Sequence, residues 1–271
     1  MKVLISTDIE GVAGVFHPEQ THPGNGEYER ARLWMTDEAN AAIAGAFEAG
    51  ATEVLVNDSH GSFRNMPADR LDARARIVQG KPRYLGMMAG VEGMDAVCMI
   101  GYHSRAQGRG ILAHTINGFA FARVTFNGQE LGEAGIYGAL AGEHGVPVAM
   151  ASGDDEFIAE HRPLFPAVTF VETKRATGAH SGVSLSPEES CKAIRAGVMT
   201  ALDKRSSLKP FTVACPVAVR LQTNSPAFAD LFCTWPTLER VSGDEIAFRA
   251  PTVEAAVRMV NSLSAMSTFL R

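Results

Sequence analysis

Cysteine is scarce in this chain. Its four cysteines, Cys98, Cys191, Cys215 and Cys233, include no Cys-x-x-Cys pair, which excludes a dithiol redox centre or a cysteine zinc knuckle and leaves buried thiols as the expectation. Basic charge is also short. Lys and Arg number 25 against 30 Asp and Glu, for a net charge of −5 and a pI near 5.9; nucleic acids and anionic membranes normally require a basic face, so neither is an expected partner. No apolar run approaches the roughly 18 to 20 residues of a membrane span, and the N-terminal stretch lacks the order of a signal peptide. A cytoplasmic address is expected. There is no Walker A loop, no Gly-x-Gly-x-x-Gly after a strand and no His-Glu-x-x-His. Gly108-Arg109-Gly110 is too short to count as a phosphate loop, and internal repeats and low-complexity tracts are missing.

What is present is a globular composition, 46% hydrophobic and 20% charged over 271 residues. That length suits one main domain with a smaller one appended. The chain opens on Lys2-Val3-Leu4-Ile5-Ser6-Thr7-Asp8-Ile9-Glu10-Gly11, an apolar run ending in two carboxylates one residue apart. Side chains alternate in extended backbone, so Asp8 and Glu10 point the same way. On these residues alone, a strand running into a solvated acidic turn is equally compatible.

Recurrence along the chain separates the two readings. Glu53 to Asn57 is a second strand, followed by Asp58-Ser59-His60-Gly61; Ala96 to Ile100 is a third, followed by Gly101-Tyr102-His103-Ser104. Parallel strands bring such ends to one edge of a sheet, where open α/β sheets bind ligands. Phe121 to Phe126, Asn127-Gly128 and Gln129 to Leu131 read as a hairpin, and Gly132-Glu133 opens a helix reaching about His144. Tyr28 to Phe47 is helical, with a break expected near Thr36. Val146 to Met150 is another strand, ending in a capping pair, Asp154-Asp155. The expected fold class is therefore α/β, a mainly parallel sheet flanked by helices in three layers.

Asp8, Glu10, His60, His103 and Glu133 together offer three carboxylates and two imidazoles, a mixed set that suits zinc or its first-row neighbours. Five ligands exceed the three of a usual catalytic zinc, so two ions are the economical answer, with Asp8 as the bridge. Asp58 reads either as a group orienting the His60 imidazole or as a solvated turn acid; Asn117 is a candidate oxyanion donor. His17 and His22 fall in an irregular loop and stay outside the site.

The motifs Ser6-Thr7-Asp8-Ile9-Glu10-Gly11, Asn57-Asp58-Ser59-His60, Gly101-Tyr102-His103 and Gly132-Glu133 resemble, in order and spacing, those of the M55 family of zinc metallopeptidases, and the resemblance extends through Met35 to Asn40 and Ala151 to Asp155. It implies two zinc ions held by Asp8, Glu10, His60, His103 and Glu133, a catalytic role for His114, and hydrolysis of N-terminal residues, D-amino acids in particular, from short peptides or amino-acid amides. It also implies a ring-shaped homo-oligomer, a decamer. Two alternatives stay open: an amidase or phosphatase using the same ions, for which Arg105 and Arg109 lie close after His103, and a non-catalytic metal-binding protein.

The last third reads as a smaller α+β domain for packing, assembly or substrate access, giving a division at 1–185 and 186–271. Ser186-Pro187-Glu188-Glu189 is a strong helix start. Phe211 to Leu221 reads as a strand with Pro216 at an edge or bulge, Leu238 to Val241 and Glu245 to Arg249 as a hairpin, and Thr252 to Phe269 as a closing helix.

Overall fold

In the computed structural model, which describes residues 1–271, the opening run forms β1 (Lys2–Thr7) and a loop leads into α1 (Gly26–Glu48), capped by the Asn25 side chain. Helix α1 runs unbroken through Thr36, against expectation. The Thr36 hydroxyl donates to the Arg32 carbonyl one turn back, so it is satisfied inside the helix and has no need to cap a new one. Then follow β2 (Glu53–Asp58), β3 (Arg76–Val78), β4 (Ala96–Ile100), the hairpin β5 (Phe121–Phe126) and β6 (Gln129–Glu130), and α2 (Glu133–Glu143). Strand β7 (Val148–Asp154) leads into α3 (Asp155–His161), with Asp154 as its cap. Next come β8 (Thr169–Gly178), β9 (Ser181–Ser184), α4 (Pro187–Asp203), β10 (Val217–Thr223), α5 (Pro226–Phe232), β11 (Glu239–Arg240), β12 (Glu245–Ala250) and α6 (Val253–Met266). No helix is long and apolar enough to cross a membrane.

The large sheet has the order β3-β2-β1-β4-β7-β8-β9. All its pairings are parallel except β8 with β9. The chain builds outward from β1 to β3 on one side and from β4 to β8 on the other, so its direction of growth reverses between β1 and β4. Such a switch point leaves a crevice at the carboxyl ends of the strands. Alternation of side chains divides the core accordingly. Val3, Ile5, Val54, Val56 and Cys98 pack under α1 and α4, while Leu4, Val97, Met99 and Val148 face α2, α6 and the second sheet.

That second sheet, β11-β12-β10-β5-β6, is antiparallel. It crosses the expected boundary at 185/186, because β5 and β6 come from before it and pair with β10 from after it. Helix α4, also after the boundary, returns to pack on α1. The strand expected from Phe211 starts only at Val217, immediately after Pro216, which has no N–H to give to a ladder.

Candidate metal centre

Strands β1, β2 and β4 end level with one another: Thr7 pairs with Asp58 on one side and with Ile100 on the other. This register delivers Asp8, His60 and His103 to the crevice. The fit at the strand ends demands glycine twice. A Cβ on Gly11 would lie 1.9 Å from the Tyr102 carbonyl oxygen, and one on Gly101, which has a φ of +71°, would lie 2.3 Å from that of Asp8. The backbones of the two turns touch, and a side chain at either glycine would drive them apart.

Asp8, Glu10, His103 and Glu133 are buried, and His60 is nearly so. His60 Nδ1 lies 3.1 Å from Asp8 Oδ1 and 3.1 Å from Glu10 Oε2. His103 Nε2 lies 3.4 Å from Asp8 Oδ2 and 3.4 Å from Glu133 Oε1. The two oxygens of Asp8 thus face two different imidazoles, each with its own second carboxylate. Donors held by one tetrahedral zinc at about 2.1 Å stand roughly 3.4 Å from each other, so both groups have the spacing of ligands around a cation. Glu10 Oε2 and His103 Nε2 have no hydrogen-bond partner although both are buried. Orphaned buried donors and acceptors of this kind are costly unless something else satisfies them. The residues present fit the binding of a divalent metal ion.

Charge makes the same point. Burial and the adjacent Glu10 push the Asp8 carboxyl up from its usual range. Burial would push Glu10 up as well, but the His60 charge carries it well below that range; His103 outweighs burial in the same way and lowers Glu133. Burial opposes the charged form of His60 and His103, yet Glu10 and Glu133 respectively hold both well above the ordinary imidazole value. The carboxylates draw positive charge into the crevice from whatever source is at hand, and divalent cations are the concentrated form of it.

Each imidazole is oriented by a backbone carbonyl. His60 Nε2 is 2.8 Å from Thr21 O, His103 Nδ1 is 2.9 Å from Ser104 O, and His114 Nδ1 is 2.9 Å from Leu112 O. A carbonyl only accepts, so those nitrogens carry the hydrogen and the opposite nitrogens turn toward the site, an arrangement typical of metal-bound histidine. His114 lies on the irregular segment before β5, partly exposed, with Nε2 3.6 Å from Glu133 Oε1 and its ring stacked on His103. Leu112 and Ile116, on either side of it, have φ of +56° and +62°, an uncommon conformation for bulky side chains. It turns the Leu112 carbonyl to His114 and lets the Ile116 N–H donate to Glu133 Oε1 at 2.6 Å.

Two sequence expectations change. Asp58 is fully buried, and its carboxylate accepts from Asn65 N, Asn65 Nδ2, Met66 N and Gln79 Nε2. It ties down the loop after His60, while Thr21 O orients the imidazole. Asn117 gives its amide N–H groups to Ser264 and Ser267, leaving none for an oxyanion. Arg105 pairs with Glu130 and Glu160, and Arg109 with Glu156. With Glu156 and Glu160 they line a groove of about 300 Å³, so their charge is answered by carboxylates rather than open to an anionic substrate.

The profile of the M55 peptidases, described as D-aminopeptidase, matches residues 1–262. A D-aminopeptidase of Bacillus subtilis (strain 168) is 36% identical over 218 residues, covering 78% of this chain and 77% of that protein. The solved structure of the Zn-dependent D-aminopeptidase DppA from Bacillus subtilis, a self-compartmentalizing protease, superposes with a TM-score of 0.96 over 99% of this chain and 98% of that one, at 29% identity. The crevice at the switch point therefore belongs to a peptide hydrolase, and the chain is a member of the zinc-dependent M55 family of D-aminopeptidases.

Proposed function

We propose that this chain is a binuclear zinc aminopeptidase that removes N-terminal D-residues from short peptides or amino-acid amides. The observation that carries the two-ion reading is Asp8, whose carboxylate oxygens face His60 with Glu10 on one side and His103 with Glu133 on the other. In this reading Asp8, Glu10 and His60 hold one zinc, and Asp8, His103 and Glu133 the other. The preference for D-residues rests on the likeness to D-aminopeptidases.

When bound, zinc supplies Lewis acidity, which polarises a carbonyl and makes water acidic enough to act as the nucleophile near neutral pH. The chain supplies the rest. Glu133, whose Oε1 accepts from the Ile116 N–H, and Glu10, carried on the turn after β1, fix the two halves of the site around Asp8. His114, with its Nδ1 hydrogen engaged by Leu112 O, presents the free lone pair of Nε2; it takes a proton from the attacking water and returns it to the departing amine. The burial of the carboxylates limits bulk water and strengthens each charge interaction.

One observation favours a second role for His114. Its ligating nitrogen groups with that of His103 and a carboxylate oxygen of Glu133 closely enough to hold a single ion, so it is also placed to serve as a ligand of the second zinc. We place the protein in the cytoplasm, in keeping with four free cysteines, and in a homo-oligomeric ring, a decamer, in keeping with its self-compartmentalizing structural relative. The smaller sheet then serves packing, assembly or substrate access. The test is metal content together with turnover of paired D- and L-aminoacyl amides. Two zinc ions per chain with faster D-turnover is the expected result; full zinc occupancy without turnover of either substrate would sink the peptidase reading.

A further inference from the structure

The turn that carries Glu10 has almost no secondary structure of its own, yet its backbone is closely held. Thr173 Oγ1 donates to Gly11 O at 2.6 Å, Glu38 Oε1 accepts from Ala13 N at 3.0 Å, and Ser184 Oγ accepts from Gly14 N at 2.8 Å. The side chain that spans the turn is Lys174 on β8. It is fully buried, and its ammonium donates both to Glu10 O and to Val15 O, while stacking over the Phe16 ring. A lysine taken so completely out of water is costly unless its donors are used and carboxylates lie near. Glu38 and Asp154 are the buried acids beside it.

We infer that Lys174 is the positioning residue of the first metal site, closing the Glu10–Val15 turn at both ends so that the Glu10 carboxylate meets His60 and Asp8. No other side chain bonds to the Glu10 backbone. Removing this ammonium frees the carbonyl of a ligand residue and opens the turn, while leaving the His103 and Glu133 half of the site resting on β4 and α2. The effect is therefore selective: it falls on the zinc held by Glu10 and His60. Outer groups that orient metal ligands typically change affinity by about 10- to 100-fold.

The inference rests on the two-zinc reading, and the test separates the two. Full-length wild type, Lys174→Met and Val219→Ala, the last a cavity-forming change in the distant second sheet, are titrated with zinc against a chelator of known affinity. Their cobalt-loaded absorption spectra and apo unfolding temperatures are measured alongside. We expect Lys174→Met to bind one zinc as the wild type does and the other at least tenfold more weakly, with an altered cobalt spectrum. Val219→Ala should unfold at lower temperature with both affinities intact. Unchanged affinities in Lys174→Met, or the same selective loss in Val219→Ala, would overturn the inference. If Lys174→Met does not fold, Lys174→Gln, which keeps a shorter donor, takes its place, and an unchanged weaker zinc there overturns the inference equally. A single zinc in the wild type would refute the binuclear reading, and the inference then stands or falls on whether Lys174→Met weakens that zinc.

Discussion

The imidazoles of His103 and His114 are stacked, their centroids 4.1 Å apart and their planes 12° from parallel. The stacking holds the His114 ring against that of the buried His103. His103 faces Asp8 and Glu133, whereas His114 reaches Glu133 alone. His114→Ala should therefore retain both zinc ions and lose kcat by about 10²- to 10⁴-fold, the usual share of a general acid–base. Atomic emission and steady-state kinetics check this, and loss of one zinc in the variant would assign His114 as a ligand instead.

His60 and His103 sit on opposite oxygens of Asp8. His60→Ala and His103→Ala should each lose tight binding of one zinc, and activity with it, whereas Asp8→Ala should lose both. Zinc titration of the three proteins against a chelator distinguishes these outcomes. Similar losses in all three would argue against a bridging carboxylate.

Chelation should lower the unfolding temperature and added zinc should restore it, since a ligand bound only by the folded chain stabilises it by mass action. The buried carboxylates Asp8, Glu10 and Glu133 then lack their cations. Calorimetry with and without chelator measures the difference, and identical transitions would show that the metal contributes nothing to the fold.

Glu38 accepts from Ala13 N and Ser190 Oγ in a buried setting, and burial pushes its carboxyl up from 4.5 to about 7. Between those values the folded chain holds a proton that the unfolded chain has released. Stability therefore falls as pH rises through this window, by about 3 kcal/mol at its upper end. Glu38→Gln keeps the accepting oxygen but cannot ionise, so its stability relative to wild type should improve from pH 5 to pH 8. Denaturant unfolding at both pH values checks the sign.

Asn117 joins the His114 segment to the end of α6 through Ser264 and Ser267. Asn117→Ala should cost about 1 to 3 kcal/mol of stability and lower kcat, with zinc content unchanged. An oxyanion donor would instead leave stability nearly intact while kcat fell.

Much of the crevice is legible in the chain because its side chains follow strand ends. Asp8, His60 and His103 each come within three residues of an apolar run, and parallel pairing in register brings them together. Glu133 opens a helix directly after an Asn-Gly hairpin. What supports them is less visible. Thr21 orients His60 with a backbone carbonyl, which every residue possesses. Lys174 lies in β8 like any strand lysine, and only the path of the turn after β1 shows that its ammonium is enclosed. Asp58 and Asn117 lie beside His60 and His114 in sequence, but the Asp58 carboxylate bonds within the following loop and to Gln79, and the Asn117 amide bonds to the end of α6. Thr36 suggests a cap until its hydroxyl is seen to bond within α1.

The sequence position of the β5–β6 hairpin has a consequence for how the molecule is put together. The hairpin follows His114 and immediately precedes Glu133, yet its sheet partner, β10, arrives some 90 residues later. Release of residues 1–185 as a fragment would leave β5 and β6 as a lone hairpin, too small to hold itself in water. The segment bearing His114 and the first turn of α2 would lose their anchor with it. The segment bearing His114 and the first turn of α2 is therefore expected to stay loose until the last strands have closed on the middle of the chain, even though a shorter polypeptide already possesses Asp8, Glu10, His60, His103 and Glu133.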